Sequence, residues 1–157
     1  MNSLVVVFSR TGRTKGVAKS ISERLNCDFE EIIDTKKWSG FFGFIRAGYA
    51  AMKGKTTIIE IPQKNPDNYD LILIGTPVWG SRVPPAIRTY LLENKNKLKE
   101  VGFFCTQGGS GSGGKIFNNM LEICEKKPIA TLELTKKMIK EGSHDDKIIE
   151  FLNKMQE

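Results

Sequence analysis

The chain has 157 residues, 39% of them hydrophobic and 27% charged, with a formal net charge of +6. That is enough chain for one well-buried core and too little for two comfortable domains, so a single domain spanning 1–157 is expected. No apolar stretch approaches the ~20 residues that a membrane-spanning helix needs, so no membrane span is expected.

An apolar run begins at Leu4, leaving no room ahead of it for a signal peptide, and the cytoplasm is the expected location. Cys27, Cys105 and Cys124 are odd in number and lack Cys-x-x-Cys spacing, which suggests neither a disulfide framework nor a metal site. His144 is the only histidine, so a Ser-His-Asp triad has little to draw on. The lysines alternate with glutamates in 95–100, 122–127 and 136–141. The positive excess therefore reads as solvated surface with no nucleic-acid stripe, though it suits an anionic ligand or partner.

Residues 4–8 (Leu-Val-Val-Val-Phe) do not alternate apolar with polar, so this strand is buried on both faces, as in a parallel sheet covered by helices. It stops at Ser9-Arg10-Thr11-Gly12-Arg13-Thr14, and Val17, Ala18, Ile21 and Leu25 then recur at helical spacing over 15–25. A second strand is expected at 29–33. A third covers 71–75, after the turn-prone Pro66-Asp67-Asn68-Tyr69-Asp70, a fourth 101–105 and a fifth 129–134. Helical patterns fill 85–92, 115–124 and 145–155; Pro84-Pro85 suits the start of the first of these and Ser143 the cap of the last. Strands alternating with helices imply right-handed βαβ units around a doubly wound, five-stranded parallel sheet with helices on both faces.

In such sheets ligands sit beyond the carboxyl ends of the strands, where the strand order reverses. Three strand ends carry loops rich in Gly, Ser and Thr: 9–14, 76–82 and 106–114. The first joins hydroxyls, a glycine able to turn sharply and two arginines to the positive end of a helix, which makes a cradle for a phosphate monoester. The plain alternative for that loop is a cap and turn. It is neither the Walker phosphate loop nor the three-glycine dinucleotide fingerprint.

Ser9-Arg10-Thr11-Gly12-Arg13-Thr14 resembles the hydroxyl-x-Thr-Gly-x-Thr phosphate loop of the flavodoxin family. Gly75-Thr76-Pro77-Val78-Trp79-Gly80 is similar to that family's second loop, beside the isoalloxazine ring, and Thr106-Gln107-Gly108-Gly109-Ser110-Gly111 stands where its third loop is expected. The resemblance implies a flavodoxin-like fold and flavin mononucleotide (FMN) as cofactor. The phosphate is then expected on the amides of Arg10–Thr14 and the hydroxyls of Ser9, Thr11 and Thr14. The ring is expected between Thr76, Pro77, Val78, Trp79 and Gly80 on one side and Thr106, Gln107, Gly108 and Gly109 on the other. Trp79 is read as a flat stacking face rather than a core aromatic, and no side chain is assigned a catalytic role.

Two departures from electron-transfer flavodoxins stand out. Residues 106–114 hold no aromatic to cover the ring, and Arg82 stands where carboxylates are common. Arg82 is read either as a partner for a negatively charged flavin or as an exposed arginine.

The implied function is an electron carrier between cytoplasmic partners. The alternative is an NAD(P)H-dependent flavin or quinone reductase on the same fold, and a third reading is a flavin-free binder of phosphate esters. The aromatic segment 38–49 (Trp38, Phe41, Phe42, Phe44, Tyr49) is expected to pack in the core, with a lid or a homodimer contact as the sharper reading.

Overall fold

The computed structural model describes every residue of the chain except Ser110, which lies outside the described residues together with that part of the third loop. β1 (Ser3–Val7) leads through the first loop into α1 (Arg13–Leu25), and β2 (Asp28–Glu31) follows. The chain then forms α2 (Gly40–Met52) and a short 3₁₀ turn at Pro66–Asn68, and continues into β3 (Leu71–Pro77). α3 (Pro85–Asn94), β4 (Glu100–Gln107), α4 (Gly113–Cys124), β5 (Thr131–Thr135), α5 (Lys136–Glu141) and α6 (His144–Asn153) complete it. The five strands form one parallel sheet in the order β2-β1-β3-β4-β5. The fold is therefore the doubly wound, flavodoxin-like α/β fold expected from the sequence.

The sheet's two faces are legible in the pleat. Leu4, Val6, Ile72, Ile74, Val101, Phe103 and Cys105 point to one buried cluster, joined by Ile87 and Leu91 of α3 and Ile116 and Met120 of α4. Val5, Val7, Leu71, Leu73 and Phe104 point to the other, with Val17 and Ile21 of α1 and Ile148, Phe151 and Leu152 of α6. Continuous apolar runs in β1, β3 and β4 follow from helices covering both faces.

Several boundaries differ from the sequence reading. β2 occupies 28–31 rather than 29–33, because its pairing with β1 ends where β1 ends, at Val7↔Glu31. β3 and β4 each run two residues further, to Pro77 and Gln107, since ladder pairing continues through Thr76↔Cys105 and Pro77↔Thr106. β5 starts at Thr131, two residues after the expected start. α5 had no counterpart in the reading. Its six residues bury no side chain, but Thr135 accepts the Met138 N–H at 3.2 Å and Gly142 closes it in the left-handed region. The segment 38–49, left without an assigned element, is mostly α2.

The core explanation for that segment holds only for Trp38, which is buried and donates Nε1–H to Asp34 Oδ2 at 2.6 Å. Phe41, Phe42, Phe44 and Tyr49 are exposed, and α2 packs inward through Gly43, Ala47, Ala50 and Ala51.

Phe104 is fully buried, and its ring meets that of Phe151 at 6.5 Å between centroids. Phe104→Ala should lower the unfolding free energy by about 3–5 kcal/mol. Urea unfolding monitored by circular dichroism measures this; a loss under about 1 kcal/mol would contradict the packing described.

Candidate functional site

β1 is flanked by β2 on one side and β3 on the other, so the strand order reverses at β1 and a crevice opens beyond its carboxyl end. A cleft of about 350 Å³ lies there, lined by Arg10, Thr11, Arg13 and Thr14 from the first loop and start of α1. Pro77, Val78 and Trp79 from the second loop, Thr106, Gln107 and Gly108 from the third, and Phe44 from α2 complete the wall. Three segments far apart in sequence thus meet around one cavity, whose volume falls within the ordinary range for small-ligand sites.

The first loop is shaped for an anion. Gly12 has φ +97°, where an L side chain is strained, and a Cβ there would meet nothing within 4 Å. Ser9 Oγ accepts the Gly12 N–H at 3.0 Å, so Ser9 braces the loop. α1 carries no side-chain cap at its N-terminus, which leaves the amides of its first turn free of side-chain partners. Those amides, the helix dipole and the two arginines face a lining with no carboxylate among the described residues.

The three loops are tied together. Thr14 Oγ1 and Thr106 Oγ1 share a buried hydrogen bond of 2.8 Å between the first turn of α1, which follows the first loop, and the end of β4, which precedes the third. Gln107 donates its Nε2–H to Glu133 Oε1, and the same oxygen accepts the Gly111 N–H at 3.2 Å. Glu133 of β5 thereby holds the third loop at both of these points.

The second loop ends in a two-residue turn. Trp79 N–H donates to Arg82 O at 3.1 Å and Arg82 N–H to Trp79 O at 3.0 Å. Gly80 and Ser81 both lie at positive φ, +56° and +62°, the pattern of a type I′ turn. A Cβ on Gly80 would come within 2.8 Å of Met52 Cγ, so a larger residue there would have to push the exposed Met52 side chain aside.

Ten of the residues expected at the site line the cleft, and five do not. Gly12 is exposed and not part of the wall, and Ser9 faces a neighbouring pocket beside Glu31 and Asp34. Thr76 is fully buried and donates its hydroxyl to the Pro77 carbonyl at 2.8 Å. Gly80 lines an adjacent apolar pocket, while Gly109 is exposed beside the cleft.

Trp79 is only 8% exposed, with Phe8 and Trp38 each edge-on to its ring at 5.6 Å. It is a core aromatic that also walls the cleft, so the expected contrast between stacking face and core residue does not apply. Arg82 lines a separate pocket with Lys115, Asn118 and Asn119, away from the cleft.

Sequence reasoning missed Asp34 and Glu133, and reached Phe44 only through the lid reading of the aromatic segment. Arg10 spans between two of the elements concerned: Nη1 donates to the Trp38 carbonyl at 3.3 Å, and the guanidinium lies 5.5 Å from the centre of the Phe44 ring. Glu133 carried a usable signal, being a charged residue inside the apolar strand 129–134.

A family model for flavodoxin matches residues 46–155. The chain belongs to the flavodoxin family. The first loop lies ahead of the matched span, so its role rests on the geometry above. Among solved structures, a flavoprotein from Lactobacillus acidophilus in complex with FMN is similar at 22% identity and a TM-score of 0.74. That likeness covers 90% of this chain and 98% of that one.

An NADPH-quinone reductase from P. pentosaceus is similar at 12% identity and a TM-score of 0.57, over 96% and 95% of the two chains. General stress protein 14 from Treponema denticola, in complex with FMN, is similar at 11% and 0.53, over 98% and 97%. At these identities the likeness is one of fold. No curated protein matches the chain in sequence. FMN, the cofactor implied by the sequence, is the one that the family and these FMN-bound neighbours support.

Cys105 lies fully buried in β4, two residues before the third loop's Gln107. Burial, with a smaller contribution from the Glu133 charge, pushes its thiol up to about 12. A thiol with so raised a pKa is protonated at pH 8 and is a poor nucleophile. Cys105 should therefore stay unmodified when the native protein is treated with a disulfide reagent at pH 8, and react once the chain is unfolded. Peptide mapping measures both; rapid labelling of native Cys105 would show that the end of β4 is open.

Proposed function

We propose that this flavodoxin-family chain holds FMN in the cleft and works as a redox protein that passes electrons between partners. The observation that carries the reading is the meeting of all three loops at a helix N-terminus whose first-turn amides have no side-chain partner. A phosphate fits there on amides and dipole, with Arg10 and Arg13 supplying opposite charge. Phe44, Val78 and Trp79 give the ring an apolar wall, and Gln107 and Gly108 offer hydrogen-bonding groups to its polar edge. Bound FMN supplies the chemistry, accepting and releasing one or two electrons. The protein supplies position and electrostatics.

Glu133 orients Gln107, and the Thr14–Thr106 bridge sets the distance between the phosphate end and the ring end.

FMN should bind about a hundredfold or more tighter than riboflavin, because only FMN carries the dianion that the first loop is built to hold. Thr106→Val, which removes the bridge to Thr14, should weaken FMN about tenfold. Fluorescence titration of the apoprotein measures both. Equal affinity for FMN and riboflavin would defeat the phosphate cradle, and no affinity for either would defeat the reading as a whole.

A second reading, an NAD(P)H-dependent flavin or quinone reductase, is favoured by one further feature. An apolar pocket of about 420 Å³, lined by Ile45, Tyr49, Met52 and Gly80, shares Phe44, Val78 and Trp79 with the cleft. Such a pocket suits a flat small-molecule acceptor better than a protein's polar surface. Anaerobic mixing of the FMN-loaded protein with NADPH discriminates the two. Rapid bleaching of the flavin is the outcome for a reductase, and an unchanged spectrum the outcome for a carrier reduced by another protein.

A further inference from the structure

α2 inverts the usual amphipathic arrangement. Its inner face is made of Gly43, Ala47, Ala50 and Ala51, and its outer face carries Phe41, Phe42, Phe44, Ile45, Tyr49 and Met52. These six recur every three or four residues, so they form one stripe along a helix that is about 20 Å long. All are more than half exposed, Phe41 at 73% and Phe42 at 78%. A continuous apolar stripe of this size on a chain's surface marks a place where something else sits.

Along the segment that carries the stripe the charges are of one sign, and Asp34, just ahead of it, is turned to Trp38 Nε1–H and the Thr57 hydroxyl. Between residues 35 and 59 stand Lys36, Lys37, Arg46, Lys53 and Lys55, with no aspartate or glutamate. Among the described residues none of these cations forms an ion pair. Instead they flank rings: Lys53 and Lys55 lie 5.8 and 5.0 Å from the centre of Tyr49, and Arg46 lies 5.8 Å from that of Trp38.

We infer that α2 docks on an anionic phospholipid surface, its aromatic stripe entering the boundary between headgroups and acyl chains while the flanking cations meet lipid phosphates. The arrangement of apolar face and bordering Lys and Arg is that of helices lying in a membrane interface. A second copy of the chain fits poorly, since two-fold packing of α2 on itself would bring the two sets of cations together. An acidic protein fits the charge, and aromatic rings suit an interface core, but the stripe offers such a partner few hydrogen bonds. A protein interface carries about one hydrogen bond per 100–200 Å², and among the six stripe side chains only Tyr49 can form one. The acyl boundary asks for none.

Vesicle flotation tests this, with vesicles of phosphatidylcholine alone and vesicles containing about one-third phosphatidylglycerol. The full chain should float with the anionic vesicles, stay behind with the neutral ones, and be released by raised salt. Phe41→Ser/Phe42→Ser should cut the bound fraction at least about tenfold, because both rings lie in the stripe and outside the cleft. Lys53→Gln/Lys55→Gln should also cut it about tenfold, through loss of charge alone. Unchanged urea midpoints for both variants would show that they fold.

Failure of the full chain to float overturns the inference, whether sedimentation then finds a dimer or an acidic protein proves to cover the stripe. Undiminished flotation of Phe41→Ser/Phe42→Ser overturns it as well. Neither result depends on FMN.

Discussion

Parallel pairing of β1 with β3, and of β3 with β4, sends the carboxyl ends of the central strands to one edge of the sheet. Everything at the candidate site follows from that registration. The first loop leaves β1 after Val7, the second leaves β3 after Pro77, and the third leaves β4 after Gln107. The ladder places Val7 opposite Gly75, and Pro77 opposite Thr106. The cleft between the loops is therefore a property of strand order, finished by the residues of each loop and by a few contacts between elements.

Those features divide the labour. At the α1 end of the cleft, charge and free amides dominate: the N-terminus of α1, Arg10 and Arg13. At the other end Phe44, Val78 and Trp79 make an apolar wall, and Gln107, held by Glu133, brings a polar group to it. The Thr14–Thr106 hydrogen bond joins the two ends, and its burial matters. Away from water, loss of one hydroxyl would leave the other unpaired, at a cost of about 1–3 kcal/mol. A short buried bond thus does more to fix the loops than the partly exposed ion pair between Lys15 and Glu31, which solvent weakens.

The buried strands could be read with little ambiguity, because Leu4–Val7 and Leu71–Ile74 are apolar without alternation and are bounded by turn residues. The loops could be read because hydroxyls and glycines there interrupt otherwise regular patterns. Three features resisted. α2 reads as apolar, and apolar residues are by default assigned inward; only the structure shows that alanines face the sheet while phenylalanines face out. Trp79 reads as a stacking ring because proline and glycine flank it, yet Phe8 and Trp38 close on it from segments that sequence spacing cannot bring together. Glu133 works through a contact to Gln107 across 26 positions of chain, and no local pattern encodes such a partner.

β1, the first of the described strands in chain order, ends up inside the sheet, between β2 and β3. Until Leu71–Pro77 has been synthesised, one of its edges has nothing to pair with, and β4 must follow before β3 is itself enclosed. Closing such long-range pairings is slow compared with forming helices. The loop after β1 is accordingly completed only by segments that lie more than sixty positions further along the chain, in β3 and β4.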